Sequence, residues 1–262
     1  MSTRLFGLDR CALVGMVHLF PLPGSPGYRG GGLGPIVDAA RRDGEALLAG
    51  GCDAVLVENM GDVPYLRGHV EPETVAAATL ATYAVAQLGA PTGVQLLAGA
   101  NREALGVALA AGAVFIRAEA FAYAHIADEG FLQASAGPLL RTRHFLSAEG
   151  IAIWADVQKK HSAHAITGDL DLAELAHGTA FCGADALVIT GLRTGAPTSP
   201  DDLRAAAGAG LPLVVGSGVT PDDAGALAEE ASALIVGSYL KVDGDWRQSV
   251  DPERVKAVRA AL

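Results

Sequence analysis

The sequence Gly183-Ala184-Asp185-Ala186-Leu187-Val188-Ile189-Thr190 marks the end of a helical segment and the start of a short apolar strand. Similar junctions occur at residues 51–57 (Gly-Cys-Asp-Ala-Val-Leu-Val) and 112–116 (Gly-Ala-Val-Phe-Ile). Short, nearly continuous apolar strands that alternate with helices are typical of a parallel sheet whose outer face is covered by those helices. The repeated junction therefore predicts a series of βα units.

Eight apolar runs of this kind occur among the 262 residues, and Ala- and Leu-rich helical stretches separate them. Several helices are expected to begin at a proline followed by acids, as at Pro221-Asp222, because both residue types suit the first helical turn. Eight units predict an α/β fold, a single-domain (β/α)8 TIM barrel over residues 1–262, whereas a doubly wound sheet normally has fewer strands. The predicted strands are 12–17, 54–57, 92–97, 114–118, 151–155, 186–190, 213–216 and 233–236.

The composition excludes several classes of protein. Half of the residues are apolar and 18% are charged, so the chain has enough apolar surface to form a core. With 19 basic and 29 acidic residues, the net charge of −10 argues against nucleic acid or an anionic membrane surface as a partner. The uncharged segment 75–100 is interrupted by Gly89-Ala90-Pro91, so it predicts a helix and a strand rather than membrane insertion.

The cysteines indicate a reducing compartment. Cys11, Cys52 and Cys182 are odd in number, far apart and without Cys-x-x-Cys spacing, so we expect small buried apolar residues rather than disulfides or metal ligands. The first ten residues also lack the continuous apolar core of a signal peptide. These features predict a cytoplasmic protein.

Loop lengths predict which end of the barrel carries the function. The connections after the first, second, fourth and fifth strands are long, and the loops that follow strands form the active-site face of such barrels. Ionisable side chains near strand ends are expected to point into the barrel mouth, because the outer face packs against helices. This reasoning predicts one polar ring, with scattered loop-edge residues as the alternative: His18, Glu58, Asn59, Gln95, Arg117, Glu119, Asp156 and Thr190.

Two glycine-containing turns predict a phosphate site. Gly216-Ser217-Gly218 follows the seventh strand and Gly237-Ser238 follows the eighth, the position at which many barrels bind a phosphate group. Glycines allow backbone N–H groups to approach an anion, and each serine adds a hydroxyl group. The alternative is that tight turns between strand and helix need glycine for steric reasons alone.

The scarce lysines point to the same end of the barrel. Of four lysines, Lys159 and Lys160 follow the fifth strand and Lys241 follows the eighth, so we expect them at the mouth. A solvated basic loop is the alternative. His161 with His18, Glu58 and Asp156 leaves a divalent metal open, although no established metal-binding spacing is present and no metal ligand is assigned.

The first long loop predicts a lid. Residues 21–32 combine prolines with glycines, that is, rigid parts with hinges. Closure of such a loop over a ligand would exclude water and bring Ser25 or Arg29 to the site. An inert loop is the alternative.

These motifs resemble the BtpA family over nearly the whole chain. The resemblance is carried by residues 15–26 (Gly-Met-Val-His-Leu-Phe-Pro-Leu-Pro-Gly-Ser-Pro), 57–64 (Val-Glu-Asn-Met-Gly-Asp-Val-Pro), 93–97, 115–117, 156, 159–161, 188–191, 216–220, 236–238 and 241–244. It implies a barrel fold, an association with photosystem I accumulation in cyanobacteria, and sugar- or nucleoside-related enzymes among other members. The chain departs from the commoner family pattern at 99–101 (Gly-Ala-Asn) and at Ala118-Glu119, so the resemblance does not transfer a substrate.

The leading functional prediction is an enzyme that acts on a phosphorylated small molecule, such as a sugar phosphate or a phosphoribosyl compound. Asp156 and Glu58 are the predicted acid and base, Lys160 with Lys159 or Arg117 is predicted to stabilise negative charge, and isomerisation, aldol-type cleavage and glycosidic cleavage all fit. The alternatives are a non-catalytic assembly factor and a metal-dependent hydrolase. No cofactor is assigned, and a homo-oligomer is left open.

Overall fold

Eight parallel strands close into a barrel in the computed structural model, which describes residues 5–159, 162–191, 198–216 and 218–262. The order of neighbours around the barrel follows the chain, and the last strand pairs with the first. The predicted (β/α)8 barrel is therefore confirmed. The barrel strands are β1 (Ala12–His18), β2 (Ala54–Glu58), β3 (Thr92–Gln95), β4 (Phe115–Ala118), β7 (Ala152–Asp156), β8 (Ala186–Ile189), β9 (Leu213–Val215) and β10 (Ala233–Val236).

The helices cover the outside of the barrel. Their apolar side chains pack against the outward-facing side chains of the strands, and together they form the largest apolar cluster of the molecule. Predicted proline starts are confirmed at Pro72, Pro200, Pro221 and Pro252. The α-helices are α1 (Gly34–Ala49), α2 (Pro72–Ala86), α3 (Asn101–Ala111), α4 (Ala136–Phe145), α5 (Leu172–Phe181), α6 (Pro200–Ala206), α7 (Pro221–Glu230) and α8 (Pro252–Ala260).

The barrel interior is arranged in layers. Phe115 and Trp154 stack with ring centroids 3.9 Å apart, and Phe6 packs at a tilt against both rings, so aromatic side chains fill the amino-terminal end. Small and branched side chains such as Val14 and Leu56 complete this apolar cluster. Side chains alternate along a strand, so the residue two positions after an inward-facing one also faces inward. The next inward layer towards the carboxyl ends is consequently polar: His18, Glu58, Gln95, Arg117, Asp156 and Thr190.

A small hairpin interrupts the loop predicted between the fourth barrel strand and the next helix. Strands β5 (His125–Ala127) and β6 (Gly130–Leu132) pair antiparallel, and Ile126 forms an isolated bridge with Ala163 in the loop after β7. The sequence analysis treated this whole region as a loop. Each strand has only three residues, which is too short for an alternating pattern to stand out.

No helix in the described ranges is both long enough and apolar enough to cross a membrane. The uncharged segment 75–100 contains most of α2, a turn and strand β3.

Candidate active site

A cavity of about 650 Å³, which we call the chamber, opens at the carboxyl ends of the barrel strands. Its volume lies within the range of sites that bind small molecules, about 300–1,000 Å³. It brings together six residues of the predicted ring, His18, Glu58, Gln95, Arg117, Glu119 and Thr190, and it also contains Lys159, which was predicted at the mouth. Gly216, Gly218, Gly237 and Ser238 form part of the same lining. Lys160, His161 and Ser217 were also predicted here, but they lie outside the described residues.

Arg117 and Asp156 form a buried ion pair beneath the chamber. Nη2 of Arg117 donates to Oδ1 of Asp156 at 3.0 Å, and Nε contacts both carboxylate oxygens at 3.2 and 3.3 Å. Nη1 donates to the carbonyl oxygen of Gly216 at 3.2 Å. The side chain of Asp156 is 2% exposed and does not line the chamber. This geometry makes Asp156 the group that orients Arg117, whereas the sequence analysis assigned it a proton-transfer role.

Two carboxyl groups of the chamber are poised to exchange protons near neutral pH. Burial raises the pKa of Glu58 to about 7, an effect that Arg117 opposes and that the neighbouring carboxylates Glu119 and Asp156 reinforce. Burial likewise raises the pKa of Glu119 to about 7, and Lys159 opposes that rise. A general acid or base works best when its pKa lies near the working pH.

His18 lies beside Glu58 as a neutral imidazole. Nδ1 lies 3.3 Å from the carbonyl oxygen of Trp246, which can only accept, so Nδ1 carries the hydrogen and Nε2 keeps its lone pair. Nε2 is 3.8 Å from Oε2 of Glu58. Burial, aided by the charge of Lys241, lowers the pKa of His18 to about 3. The ring also lies close to Gly237, where an added Cβ would come within 3.2 Å of it.

Lys159 connects the ring to the hairpin. Nζ donates to both carboxylate oxygens of Glu129 at 3.0 Å and lies 3.5 Å from Oε2 of Glu119. Glu129 and its neighbour Asp128, at the tip of the hairpin, both line the chamber. The sequence analysis missed these two acids. The turn composition Asp128-Glu129-Gly130 was the available signal.

The remaining predicted polar residues divide into two groups. Gln95 donates to Glu119 at 3.3 Å and Thr190 donates to the carbonyl oxygen of Gln158 at 2.8 Å, and both side chains line the chamber. Asn59 and Ser25 do not. Asn59 bonds to Asp62 and accepts from the N–H of Leu97, whereas Ser25 donates to the carbonyl oxygen of Leu22. The hydrogen bonds of these two residues join loop segments outside the lining of the chamber.

The structure changes the prediction about which N–H groups of the two glycine-containing turns could bind an anion. The N–H of Gly216 already donates to the carbonyl oxygen of Ile189 at 2.8 Å, so this glycine has no N–H to offer a ligand. Gly218 has a φ of +79°, a conformation that suits glycine, and is exposed to the chamber. In the part of the chain that is described, the N–H groups of Ser238 and Tyr239 have no protein acceptor. Unpaired N–H groups at a turn are suitable donors for an anion.

Lys241 lies elsewhere than predicted. Its side chain is completely buried, and Nζ is paired with Asp43 on α1. Asp43 also accepts from the N–H of Val250. Lys241 therefore fastens the loop after β10 to α1, and it does not line the chamber.

The metal-dependent alternative needed several of the predicted ligands to converge. Across the described ranges, no group of three or more His, Cys, Asp or Glu side chains has a geometry that could hold a metal ion. His164, in the loop after β7, has its ring 5.3 Å from that of His125, and its Nε2 contacts the carbonyl oxygen of Lys159. A divalent ion thus has no support from the described side chains.

The chain is a closed (β/α)8 barrel with a chamber of ionisable side chains at the carboxyl ends of its strands. Enzymes with this fold carry their active sites at that end of the barrel. Comparison with known proteins identifies the family. The chain belongs to the BtpA family, whose model matches residues 9–262.

Two relatives and one solved structure define the similarity. A mitochondrial protein of Caenorhabditis elegans described as uncharacterised is 38% identical over 260 residues, covering 97% of this chain and 93% of that protein. The photosystem I biogenesis protein BtpA of Synechocystis is 36% identical over 256 residues, covering 95% of this chain and 87% of that protein. A crystal structure of 3-hexulose-6-phosphate synthase shares the fold with a TM-score of 0.60 at 15% identity, covering 96% of this chain and 99% of that one.

Proposed function

We propose that this protein is an enzyme that acts on a phosphorylated small molecule by acid/base catalysis, with Glu58 and Glu119 exchanging protons with the substrate. The observation that carries the proposal is that one chamber contains both carboxyl groups, whose pKa values are raised to about 7, and also the turn with Ser238 and Tyr239, whose N–H groups have no acceptor among the described residues. The carboxyl groups supply proton transfer, and the N–H groups supply binding of an anion.

The charged residues of the chamber fit supporting roles. Arg117 is held by Asp156 and Gly216, so its guanidinium group is fixed before a ligand arrives and can stabilise negative charge that develops on the substrate. Lys159 is held by Glu119 and Glu129 and can act on the same charge from another side. Neither side chain needs a large rearrangement to do so.

A sugar phosphate or a phosphoribosyl compound is the substrate class to test first. A structure named as a hexulose-phosphate synthase shares the fold, and the chamber is large enough for such a compound. Isomerisation, aldol-type cleavage and glycosidic cleavage each require a proton to be moved between a carboxyl group and the substrate. A panel that covers all three reactions therefore tests a single mechanism.

The experiment compares the wild-type protein with Glu58→Gln and Glu119→Gln against that panel. Each substitution preserves shape and removes the ionisable group, so we expect turnover of any accepted substrate to fall by about 100-fold or more. Glu45→Gln is the matched control, because Glu45 is exposed on α1, pairs with Arg41 and does not line the chamber. Equal rates in Glu58→Gln, Glu119→Gln and wild type would remove both carboxyl groups from the mechanism.

A non-catalytic role in assembly is the second candidate, because the Synechocystis relative is named as a photosystem I biogenesis protein. Such a role requires surfaces rather than ionisable groups inside a chamber. Expression of wild type and of the Glu58→Gln/Glu119→Gln double variant in Synechocystis cells that lack BtpA distinguishes the two. Equal restoration of photosystem I by both proteins would favour assembly, whereas restoration by wild type alone would favour catalysis.

A further inference from the structure

The cations that line the chamber differ in one respect, which is whether a carboxylate neutralises them. Arg117 is paired with Asp156, and Lys159 is paired with Glu119 and Glu129. Arg254 also lines the chamber, and among the described residues it has no carboxylate partner. In a chain with a net charge of −10, a cation left unpaired in the wall of a cavity requires an explanation.

Arg254 is held in place by a single residue. Its Nε donates to the carbonyl oxygen of Tyr239, and its guanidinium carbon lies 4.3 Å from the centre of the Tyr239 ring. Gly244 leaves space beside it, since a Cβ at that position would lie 3.5 Å from Nη2. The two terminal nitrogens have no protein acceptor in the described part of the chain. The guanidinium group is thus fixed while most of its donors are unused.

The acids nearest in sequence are already engaged. Asp251 accepts from the N–H of Glu253 and caps α8, whereas Glu253 pairs with Lys256. Arg254 therefore lies beside two acids and pairs with neither, and it approaches the turn that contains the unpaired N–H groups of Ser238 and Tyr239. A planar, forked donor beside backbone N–H groups is suited to the several oxygens of a phosphate group.

We propose that Arg254 binds the phosphate group of the ligand together with the N–H groups of Ser238 and Tyr239, and that it makes the chamber prefer phosphorylated over unphosphorylated compounds. This assignment rests on the proposed function, which requires an anion site in the chamber but does not require Arg254. It adds a residue from the last helix to a site otherwise formed by strand-end turns.

Calorimetric titration with inorganic phosphate tests the assignment on the full chain. We expect wild type to bind phosphate and Arg254→Gln to bind it about tenfold or more weakly, because a charge-assisted hydrogen bond is lost. Arg247→Gln is the matched control, since Arg247 is exposed, pairs with Asp245 and does not line the chamber. Its phosphate affinity should equal that of wild type. Thermal unfolding without phosphate checks that both variants are folded.

A second measurement uses the wild-type chain, so it does not depend on whether a variant folds. Phenylglyoxal modifies accessible arginines, and mass spectrometry reads the extent at each position. Phosphate should slow modification of Arg254 and leave that of Arg247 unchanged.

The outcomes separate the two proposals. If Arg254→Gln binds phosphate as wild type does, or if phosphate does not protect Arg254, the role of Arg254 is overturned while the proposed function stands. If wild type does not bind phosphate at all, the anion site of the proposed function fails, and the role of Arg254 fails with it.

Discussion

Replacement of Asp156 by asparagine should destabilise the protein strongly, although the two side chains have nearly the same shape. The change leaves Arg117 charged and buried without its ion-pair partner, because the amide oxygen that replaces the carboxylate and the carbonyl oxygen of Gly216 are both neutral acceptors. The side chains of Arg117 and Asp156 are only 11% and 2% exposed, so water cannot replace the lost carboxylate.

The magnitude follows from this burial. A surface ion pair contributes about 0–1 kcal/mol, whereas removal of one partner from a buried pair costs about 3–5 kcal/mol. In a chain of this length, 1 kcal/mol corresponds to about 2–4 °C, so the melting temperature should fall by about 6–20 °C. The double variant Arg117→Met/Asp156→Asn removes the unpaired charge and should recover most of that loss.

Circular dichroism during heating measures both effects, and urea unfolding gives the corresponding free energies. Asp43→Asn is an informative comparison, because it breaks a second buried pair, Lys241 with Asp43, away from the chamber. An Asp156→Asn protein that unfolds at the wild-type temperature would show that the ion pair does not hold this layer of the barrel. A double variant no more stable than Asp156→Asn alone would show that the cost does not come from an unpaired Arg117.

Three further predictions concern individual contacts. The folded-state pKa of Glu58 is about 7, above its ordinary value of 4.5, so the folded state binds the extra proton between these pH values and wild type loses stability as pH rises through that window. In urea unfolding at pH 4.5–8, Glu58→Gln should show a smaller loss than wild type, because Glu119, whose pKa is also raised to about 7, still contributes. Gly237→Ala would place a Cβ 3.2 Å from the His18 ring, so either the ring or the turn after β10 must shift. This shift should weaken phosphate binding in calorimetry without unfolding the barrel. Asn59→Ala removes the acceptor for the buried N–H of Leu97, so the free energy of unfolding should fall by about 1–3 kcal/mol while the phosphate affinity stays at the wild-type value. A loss of phosphate affinity would indicate that Asn59 takes part in ligand binding.

The fold and the ring of the chamber follow closely from sequence because both depend on periodicity. Apolar runs of four to six residues separated by helices specify the barrel. Alternation along a strand places Arg117 above Phe115 and His18 above Met16. Once the strands are located, the inward direction of these side chains needs no further information.

The parts that were missed depend on contacts between distant segments. Arg254 belongs to the last helix, and nothing near it in sequence indicates that its guanidinium group reaches the turn after β10. Lys241 follows a strand as expected, yet its ion pair with Asp43 on α1 turns it away from the chamber. The N–H of Gly216 is engaged by the neighbouring strand, which composition alone does not reveal.

The layered interior of the barrel bears on how such proteins diverge. The apolar cluster at the amino-terminal end, with Phe6, Phe115 and Trp154, contributes packing, while the polar layer above it contributes ionisable groups. A substitution in the upper layer leaves the packing below intact, so selection can change the chemistry without rebuilding the scaffold. Glu119 lies in the chamber and pairs with Lys159. Exchange of side chains in the upper layer would therefore alter the chemistry of the chamber without disturbing the apolar packing below it.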